Sequence, residues 1–196
     1  TGETEIALPP DTAFQQVFYE QISPKPEKIR LDEDGNWLAS FKLKPNQNLD
    51  VVAEGKVQLF SQPQQLYPEA VRGPLTKQKY LAETEYWQVN DPQIKALANS
   101  LKTPRAIYDF VVGRLSYDYS RVREDAERLG AKGALVSPDT AICMEFTDLF
   151  IALARAAGVP AREINGYAYT ENPEIQPLSL IADVLHAWPE YWDESL

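Results

Sequence analysis

Hydrophobic and polar residues alternate along the first third of the chain, a pattern typical of β-strands with one buried face. The clearest alternation lies in residues 36–43 and 49–60, and shorter strands are predicted at 12–22 and 27–31. We predict a β-bulge at Gly55. The residues predicted to share one face are Trp37, Ala39, Phe41 and Leu43 in the first segment and Val51, Ala53, Val57 and Leu59 in the second.

Residues 32–36, with the sequence DEDGN, predict a hairpin turn with Asp34 and Gly35 at its tip. The acidic residues also raise the question of calcium binding. However, the glycine comes two places too early for an EF-hand loop, and no glutamate follows at the required spacing. We therefore interpret this segment as a turn.

The pattern becomes helical at residue 91. Residues 90–101 combine an Asn/Asp cap, a proline in the first turn and an apolar stripe, and residues 103–115 repeat these features with Thr103 as the cap. Residues 116–138 are polar and contain glycine, which predicts a loop with a short helix at 123–130. The predicted stripes are Ile94, Leu97, Ala98 and Leu101 in the first helix and Ile107, Val111 and Leu115 in the second.

The strongest helical periodicity covers residues 142–157 and predicts an amphipathic helix with Cys143 in its first turn. Residues 138–140, with the sequence PDT, supply cap candidates, and Gly158 is a natural end for the helix. Residues 161–170 and 184–192 follow as predicted strands. Helices followed by strands indicate an α+β arrangement in this half of the chain.

These patterns predict two folded regions. Residues 1–62 form a small, mostly β N-terminal domain, residues 63–90 are a connecting segment, and residues 91–196 form an α+β core. A chain of 196 residues with 44% hydrophobic content can bury such a core.

Composition excludes several classes of partner and site. The net charge of −10 and the lack of a basic stripe argue against a nucleic-acid partner. A single cysteine cannot form an internal disulfide or a multi-cysteine zinc site. The longest apolar stretch, LFIALA, is far too short to span a bilayer, so no direct membrane insertion is expected. The chain starts at Thr1, which leaves room for a removed export signal.

The only cysteine and the only histidine, Cys143 and His186, are the candidate chemical pair. A helix N-terminus stabilises a thiolate through unpaired N–H groups and a partial positive charge, and the same N–H groups can hold an oxyanion. The competing interpretation is that the cysteine is a buried small residue and the histidine packs beside Trp188. Position alone does not decide between them.

Three segments together resemble the transglutaminase-like superfamily. They are CMEFTDLFIALARAAGVPAR, starting at Cys143, then INGY, then HAWPEYW, starting at His186, and they occur in the family's order. The resemblance covers roughly residues 90–196. It implies a papain-like transglutaminase core, in which the cysteine helix packs on an antiparallel sheet that carries the histidine. The N-terminal β region resembles domains that precede this core in bacterial members.

The resemblance implies a role for each matching residue. Cys143 would be the nucleophile and His186 the general base, with no metal and no cofactor required. An oxyanion-hole side chain from upstream of the helix would be Tyr117 or Tyr119, between which the sequence does not choose. Asp193 is a possible orienting aspartate for the histidine, although it falls where the family has a turn.

Five further residues match the family's structural positions. Arg162, Gly166 and Tyr167 would be structural, and Trp188 and Glu190 would support the histidine strand.

The chain also departs from the family's pattern. The family usually has glycine where this chain has Ala141, and Pro189 is unusual. The family's aspartate follows the histidine strand, so we expect a fragment that stops at Leu196 just before it.

We therefore predict a cysteine enzyme acting on amide bonds of a protein or peptide substrate through a thioester. The intermediate would pass to an amine or to water, and hydrolysis is favoured for bacterial members. The alternative is a catalytically inactive protein-binding or scaffold module, and a third reading is an arylamine-acetyltransferase type of acyl carrier. The compartment is not fixed by the sequence, with an extracytoplasmic location favoured.

Overall fold

The computed structural model describes residues 2–64, 77–123, 125–167 and 185–193. The chain divides into two compact units, Thr1–Leu75 and Thr76–Leu196. The domain boundaries predicted after residues 62 and 90 remain predictions.

The first unit consists of antiparallel strands. Strands β1, β4 and β3 form one sheet in that order, and β2 pairs with β5 in a second. The strand β1 was not predicted from the sequence. The bounds are Gly2–Leu8 for β1, Gln15–Ser23 for β2, Lys28–Leu31 for β3, Trp37–Leu43 for β4 and Val52–Leu59 for β5.

The small core of this unit contains Leu8, Ala39 and Phe41, with Trp37 packed against it. This confirms the predicted buried face of β4, apart from its last residue. The predicted face of β5 is wrong as a core face, because every residue of that strand is exposed. The strand is half of a two-stranded ribbon, and no sheet or helix among the described residues of this unit covers its apolar side chains.

The predicted bulge lies on the other strand of this ribbon. Tyr19 pairs with Gly55 and Gln21 pairs with Glu54, so the extra residue is Glu20 in β2. A β-carbon on Gly55 would lie 2.4 Å from the carbonyl oxygen of Phe18. Glycine is therefore required here for close backbone approach rather than for the bulge itself.

The hairpin turn at residues 32–36 is confirmed. The Asp32 N–H donates to the Asn36 carbonyl at 3.0 Å, and Gly35 has a φ of 90°. The Asp32 carboxylate accepts the N–H groups of Asp34 at 2.9 Å and Asn36 at 2.8 Å. The first acidic side chain of the turn thus stabilises the turn itself.

The second unit contains four α-helices and two strands among its described residues. Single 3₁₀ turns occur at Lys79–Leu81, Tyr119–Arg121 and Pro138–Thr140. The bounds are Pro92–Leu101 for α1, Pro104–Arg114 for α2, Gly130–Val136 for α3, Cys143–Ala156 for α4, Ala161–Tyr167 for β6 and Leu185–Tyr191 for β7. None of the described helices is long and apolar enough to cross a bilayer.

The predicted caps of the first two helices are confirmed. The Asp91 carboxylate accepts the N–H groups of Gln93 and Ile94, and the Thr103 hydroxyl accepts the N–H of Ala106 at 3.2 Å. The predicted stripes pack inward, with the residues below 7% exposure being Ile94, Ala98, Ile107, Val111 and Leu115.

The short helix predicted at 123–130 is wrong. Residues 125–129 are not helical, and α3 begins at Gly130, which has a φ of 70° and lies against Tyr86. A β-carbon on Gly130 would lie 3.1 Å from the Tyr86 carbonyl oxygen. The Ala131 N–H donates to the same oxygen at 2.8 Å. These contacts set the start of the helix at Gly130, seven residues or about two turns later than predicted.

Helix α4 is the centre of the second unit and packs against α1, α2, α3, β6 and β7. It is buried on nearly all sides, so the prediction of an amphipathic helix understates its burial. Its predicted end is confirmed by a Schellman motif: Gly158 has a φ of 83°, and the Val159 N–H donates to the Ala154 carbonyl at 2.9 Å.

Strands β6 and β7 form an antiparallel pair against α4, which confirms the predicted α+β arrangement. The ends of the predicted strands, at residues 168–170 and 184, lie outside the described residues. His186 pairs with Gly166, and Trp188 pairs with Ile164. Residues two apart on a strand share a face, so the histidine and the tryptophan lie on the same side of the sheet.

Candidate active site

Cys143 is the first residue of α4 and is 8% exposed. The helix cap differs from the predicted one, because none of residues 138–140 caps the helix. Instead, the fully buried Glu145 carboxylate reaches back to accept the Ile142 N–H at 2.9 Å. This is the glutamate half of a capping box, and it fixes the peptide that enters the helix at Cys143.

Cys143 and His186, which are 43 residues apart in the sequence, line one cavity of about 310 Å³. The rest of its wall is mostly apolar and comes from α2, α4, β7 and Tyr117 in the loop that follows α2. The other lining residues are Tyr108, Val111, Val112, Tyr117, Phe146, Thr147, Phe150, Ala187, Trp188 and Pro189.

The histidine strand depends on a close contact between Trp188 and Gly166. The ring centroids of Trp188 and His186 are 6.3 Å apart at an interplanar angle of 30°. A β-carbon on Gly166 would lie 2.6 Å from Cη2 of Trp188. The indole of Trp188 therefore covers Gly166, the residue that pairs with His186. A structural role for Gly166 and Trp188, which the family resemblance implies, is compatible with this contact.

Arg162 and Glu190 also pair across the two strands. The Arg162 Nε and Nη2 atoms donate to Oε2 of Glu190 at 3.1 and 2.9 Å. Burial acts to lower the pKa of Arg162, but hydrogen bonding and charge attraction from Glu190, together with Tyr80, raise it overall. Glu190 is next to the last residue of β7, whereas His186 is next to its first residue. The pair stabilises the register of the two strands.

The two candidate tyrosines lie in different surroundings. Tyr117 lines the cavity and stacks on Phe146 with ring centroids 6.2 Å apart. Tyr119 is 58% exposed and is not part of the cavity wall, although its ring centroid lies 4.9 Å from that of Tyr117. The structure thus brings one of the two to Cys143.

Asp193 follows the opposite end of β7 from the one that carries His186. His186 is the second residue of β7, and Asp193 follows the end of that strand by two residues. An extended strand rises about 3.3 Å per residue, so His186 and Tyr191 are separated by roughly 16 Å before the chain reaches Asp193. This separation along the strand does not favour the orienting role considered for Asp193, which stays a prediction.

A buried ionic cluster lies behind α4 and was missed by the sequence analysis. Asp148 is fully buried and accepts hydrogen bonds from Trp87 Nε1 at 2.7 Å and Arg128 Nε at 2.9 Å. Arg128 also donates to Glu163 of β6 at 2.7 Å. Burial disfavours the charge on Arg128, but its bonds to both carboxylates outweigh burial and raise its pKa.

Arg155 fixes the other end of α4. Its Nε and Nη2 atoms donate to the Ala161 carbonyl at 2.9 and 2.7 Å, and Nη1 donates to the Ala82 carbonyl at 2.6 Å. Burial lowers its pKa to about 10. The guanidinium lies over the Trp87 ring, 4.3 Å from its centroid. Arg155 thereby joins the start of β6 to the segment that precedes α1.

The described part of the chain offers no cluster of three or more His, Cys, Asp or Glu side chains that could hold a metal ion. The residues that line the cavity include a thiol, an imidazole and a phenol, provided by Cys143, His186 and Tyr117, and further polar groups come from Tyr108, Thr147 and Trp188.

Solved structures share this fold. A crystal structure from Cytophaga hutchinsonii, of a protein proposed to be a cysteine protease, matches with a TM-score of 0.58 and 18% identity, covering 98% of this chain and 64% of that one. The periplasmic domain of TgpA from Pseudomonas aeruginosa, bound to ethylmercury, matches with a TM-score of 0.52 and 20% identity, covering 97% and 67%. These matches confirm the predicted fold class.

Sequence comparison agrees with the fold. A protein-glutamine gamma-glutamyltransferase from Pseudomonas aeruginosa is 29% identical over 110 residues, which are 52% of this chain and 16% of that protein. The chain thus matches only a small part of that relative's length. The family model of the transglutaminase-like superfamily core matches residues 88–195, more than half of the chain, and includes both Cys143 and His186. The chain therefore belongs to the transglutaminase-like superfamily.

Proposed function

We propose that the protein is a cysteine acyltransferase that acts on glutamine side-chain amides of proteins or peptides through a Cys143 thioester. The observation that carries this proposal is the common cavity of Cys143 and His186, which the fold builds from a helix start and a strand far apart in sequence. A buried structural cysteine does not require the only histidine of the chain beside the same cavity.

The first step forms the nucleophile. His186 takes the proton of the Cys143 thiol, and the resulting thiolate is stabilised by the imidazolium and by the first N–H groups of α4. Most of the cavity wall is apolar, which keeps water away and strengthens these interactions.

The second step is attack on the amide. The sulfur bonds to the carbonyl carbon, and the carbonyl oxygen becomes an oxyanion. The Cys143 N–H, at the start of α4, and the Tyr117 hydroxyl are the donors for that oxyanion. Collapse of the intermediate breaks the carbon–nitrogen bond, and ammonia leaves with the proton held by His186.

The third step decides between transfer and hydrolysis. An amine attacks the thioester, its proton passes to His186, and the thiolate is released with a new amide bond formed. Water in place of the amine gives a carboxylic acid. The name of the curated relative supports transfer to an amine, whereas the name of the Cytophaga structure corresponds to hydrolysis. Because the first is a match in sequence and the second in fold alone, we favour transfer.

The proposed site of action is outside the cytoplasm. The support is the periplasmic domain of TgpA, whose fold this chain shares. Fractionation of cells that carry the native protein, with periplasmic and cytoplasmic marker enzymes, tests the location.

The activity is tested with a glutamine-containing peptide and a primary amine. Ammonia release and amine incorporation are measured separately by mass spectrometry, for the wild type, Cys143→Ala and His186→Ala. The protein should keep any sequence that flanks residues 1–196 in the natural chain. We expect turnover in the wild type, with incorporation exceeding hydrolysis, and a loss on the order of 10³-fold or more in each variant.

A matched control is Thr147→Ser, which alters another residue of the cavity wall without removing a group assigned to the chemistry. Wild-type protein that gives neither product, and whose Cys143 is not alkylated faster than a denatured-state thiol, would contradict the proposal. That result would favour the scaffold module.

A further inference from the structure

Two segments that run side by side carry the groups proposed to bind the oxyanion. One is the approach to α4 with its first residue, residues 138–143, which include Cys143, and the other is residues 116–121, which include Tyr117. Backbone bonds join them: the Ser116 N–H donates to the Pro138 carbonyl at 2.9 Å, and the Asp118 N–H donates to the Ala141 carbonyl at 2.8 Å. These bonds flank a single bridging pair, Tyr117 with Ala141, rather than a full strand pairing.

The side chain of Arg121 also joins the two segments. Its guanidinium donates to the carbonyl oxygens of Thr140 and Glu127, and its Nη1 atom lies 3.4 Å from Oε2 of Glu145. The Arg121 side chain is 18% exposed and that of Glu145 is fully buried. A planar guanidinium can bind several acceptors in a fixed geometry, which an ammonium group cannot reproduce.

Glu145, the partner of Arg121 in this ion pair, also binds two backbone N–H groups near the start of α4. One carboxylate oxygen accepts the Ile142 N–H at 2.9 Å, and the other accepts the Leu129 N–H at 3.0 Å. Arg121 therefore links the segment that carries Tyr117 to the carboxylate that fixes the entrance to Cys143. Neither charged group is a lining residue of the cavity.

From these contacts we infer that Arg121 is a positioning residue, which sets the place of the Tyr117 hydroxyl relative to the Cys143 N–H. The inference rests on the proposed function, because it concerns the oxyanion of that reaction. It assigns Arg121 no contact with the substrate.

The test is a double-mutant cycle of Arg121→Met and Tyr117→Phe, with kcat and KM measured on the glutamine peptide. Loss of one oxyanion donor lowers kcat by about 10²–10³-fold, so Tyr117→Phe should approach that range. Arg121→Met displaces this donor instead of removing it. We therefore expect a smaller loss of kcat, about 10–100-fold, with KM changed by less than about threefold. In the Tyr117→Phe background, Arg121→Met should lower kcat by less than about threefold.

Two further variants separate positioning from folding. Arg123→Met is the matched control, since Arg123 lies in the same loop but its ion pair with Asp125 is exposed, and it should leave kcat unchanged within about twofold. Arg121→Lys keeps the charge and should keep the fold, but it cannot span the three acceptors and should lose most of the kcat that Arg121→Met loses. The helical circular-dichroism signal of each variant, followed through urea unfolding, measures its folded fraction.

The outcomes are distinct from those of the proposed function. An inactive wild type, at the level of Cys143→Ala, refutes the proposed function and this inference with it. An active wild type in which Arg121→Met equals Arg123→Met refutes the inference alone. Full multiplication of the two kcat losses in the double variant also refutes it, because Arg121 would then act independently of Tyr117.

Discussion

The substitution Asp148→Asn tests whether the buried ionic cluster holds α4 in place. The side chain is fully buried, and both its oxygens accept hydrogen bonds, from Trp87 and from Arg128. The amide nitrogen of asparagine would face a donor. Removing one partner of a buried ion pair costs about 3–5 kcal/mol. Arg128 keeps Glu163 at 2.7 Å and its side chain is 20% exposed, so we expect a smaller loss of about 2–3 kcal/mol.

Urea unfolding followed by the helical circular-dichroism signal measures this loss, because every α-helix in the described residues belongs to the second unit. With a slope of about 1–3 kcal/mol per molar urea, the midpoint should fall by roughly 1–2 M. The control is Asp109→Asn, the same chemical change in a pair with Arg105 whose side chains are 54% and 82% exposed. Asp109→Asn should lower the free energy of unfolding by less than about 0.5 kcal/mol. Equal midpoints for the two variants would refute the reasoning.

Three smaller predictions follow. Gly166→Ala should cost about 1–3 kcal/mol and change tryptophan fluorescence, because its β-carbon would lie 2.6 Å from the Trp188 ring; an unchanged midpoint and spectrum would contradict the close contact. Asp91→Ala should cost about 1 kcal/mol in urea unfolding, through loss of the α1 cap, and no loss would contradict the capping role. A hydrogen bond from Arg30 lowers the pKa of Glu5 from 4.5 to about 2. The charged Glu5 carboxylate therefore stabilises the first unit above pH 4.5, and this stabilisation is lost as the pH falls toward 2. Glu5→Gln should remove that pH dependence from the unfolding of the first unit, and a carboxyl titration by NMR that gives an ordinary pKa would contradict it.

The elements that were predicted correctly have local signals. The Asp91 and Thr103 caps each lie within three residues of the N–H groups they bind, and the end of α4 is specified by Gly158 and its neighbours. Strand β4 was recognisable because its alternation matches burial on one face. The caps and the helix end are formed by residues close together in the sequence, whereas β4 was recognisable from its alternation although its partner β1 lies far away in the sequence.

The elements that were missed depend on distant partners. Strand β1 contains two glutamates and is fixed by pairing with β4, whose paired residues come 29 to 41 positions later in the sequence. Helix α3 contains two glycines, and its start depends on contact with Tyr86. Neither the composition nor the periodicity of these segments reports such contacts.

The candidate site shows the same division. The motif resemblance identified Cys143 and His186, which the fold brings to one cavity. The choice of Tyr117 over Tyr119 required the tertiary structure, because the two are only two residues apart and differ in what packs around them. Arg121 gave no signal in the sequence, since its acceptors include Glu145, 24 residues away.

The most direct test of the account is the pH profile of Cys143 alkylation by iodoacetamide, measured by mass spectrometry in the wild type and in His186→Ala. Because Cys143 is the only cysteine, the modified protein reports this site alone. The account predicts fast alkylation well below roughly pH 8 in the wild type, since the helix start and the imidazolium stabilise the thiolate, and loss of this acid-side reaction in His186→Ala. Identical profiles for the two folded proteins would contradict the claim that Cys143 and His186 form a catalytic pair.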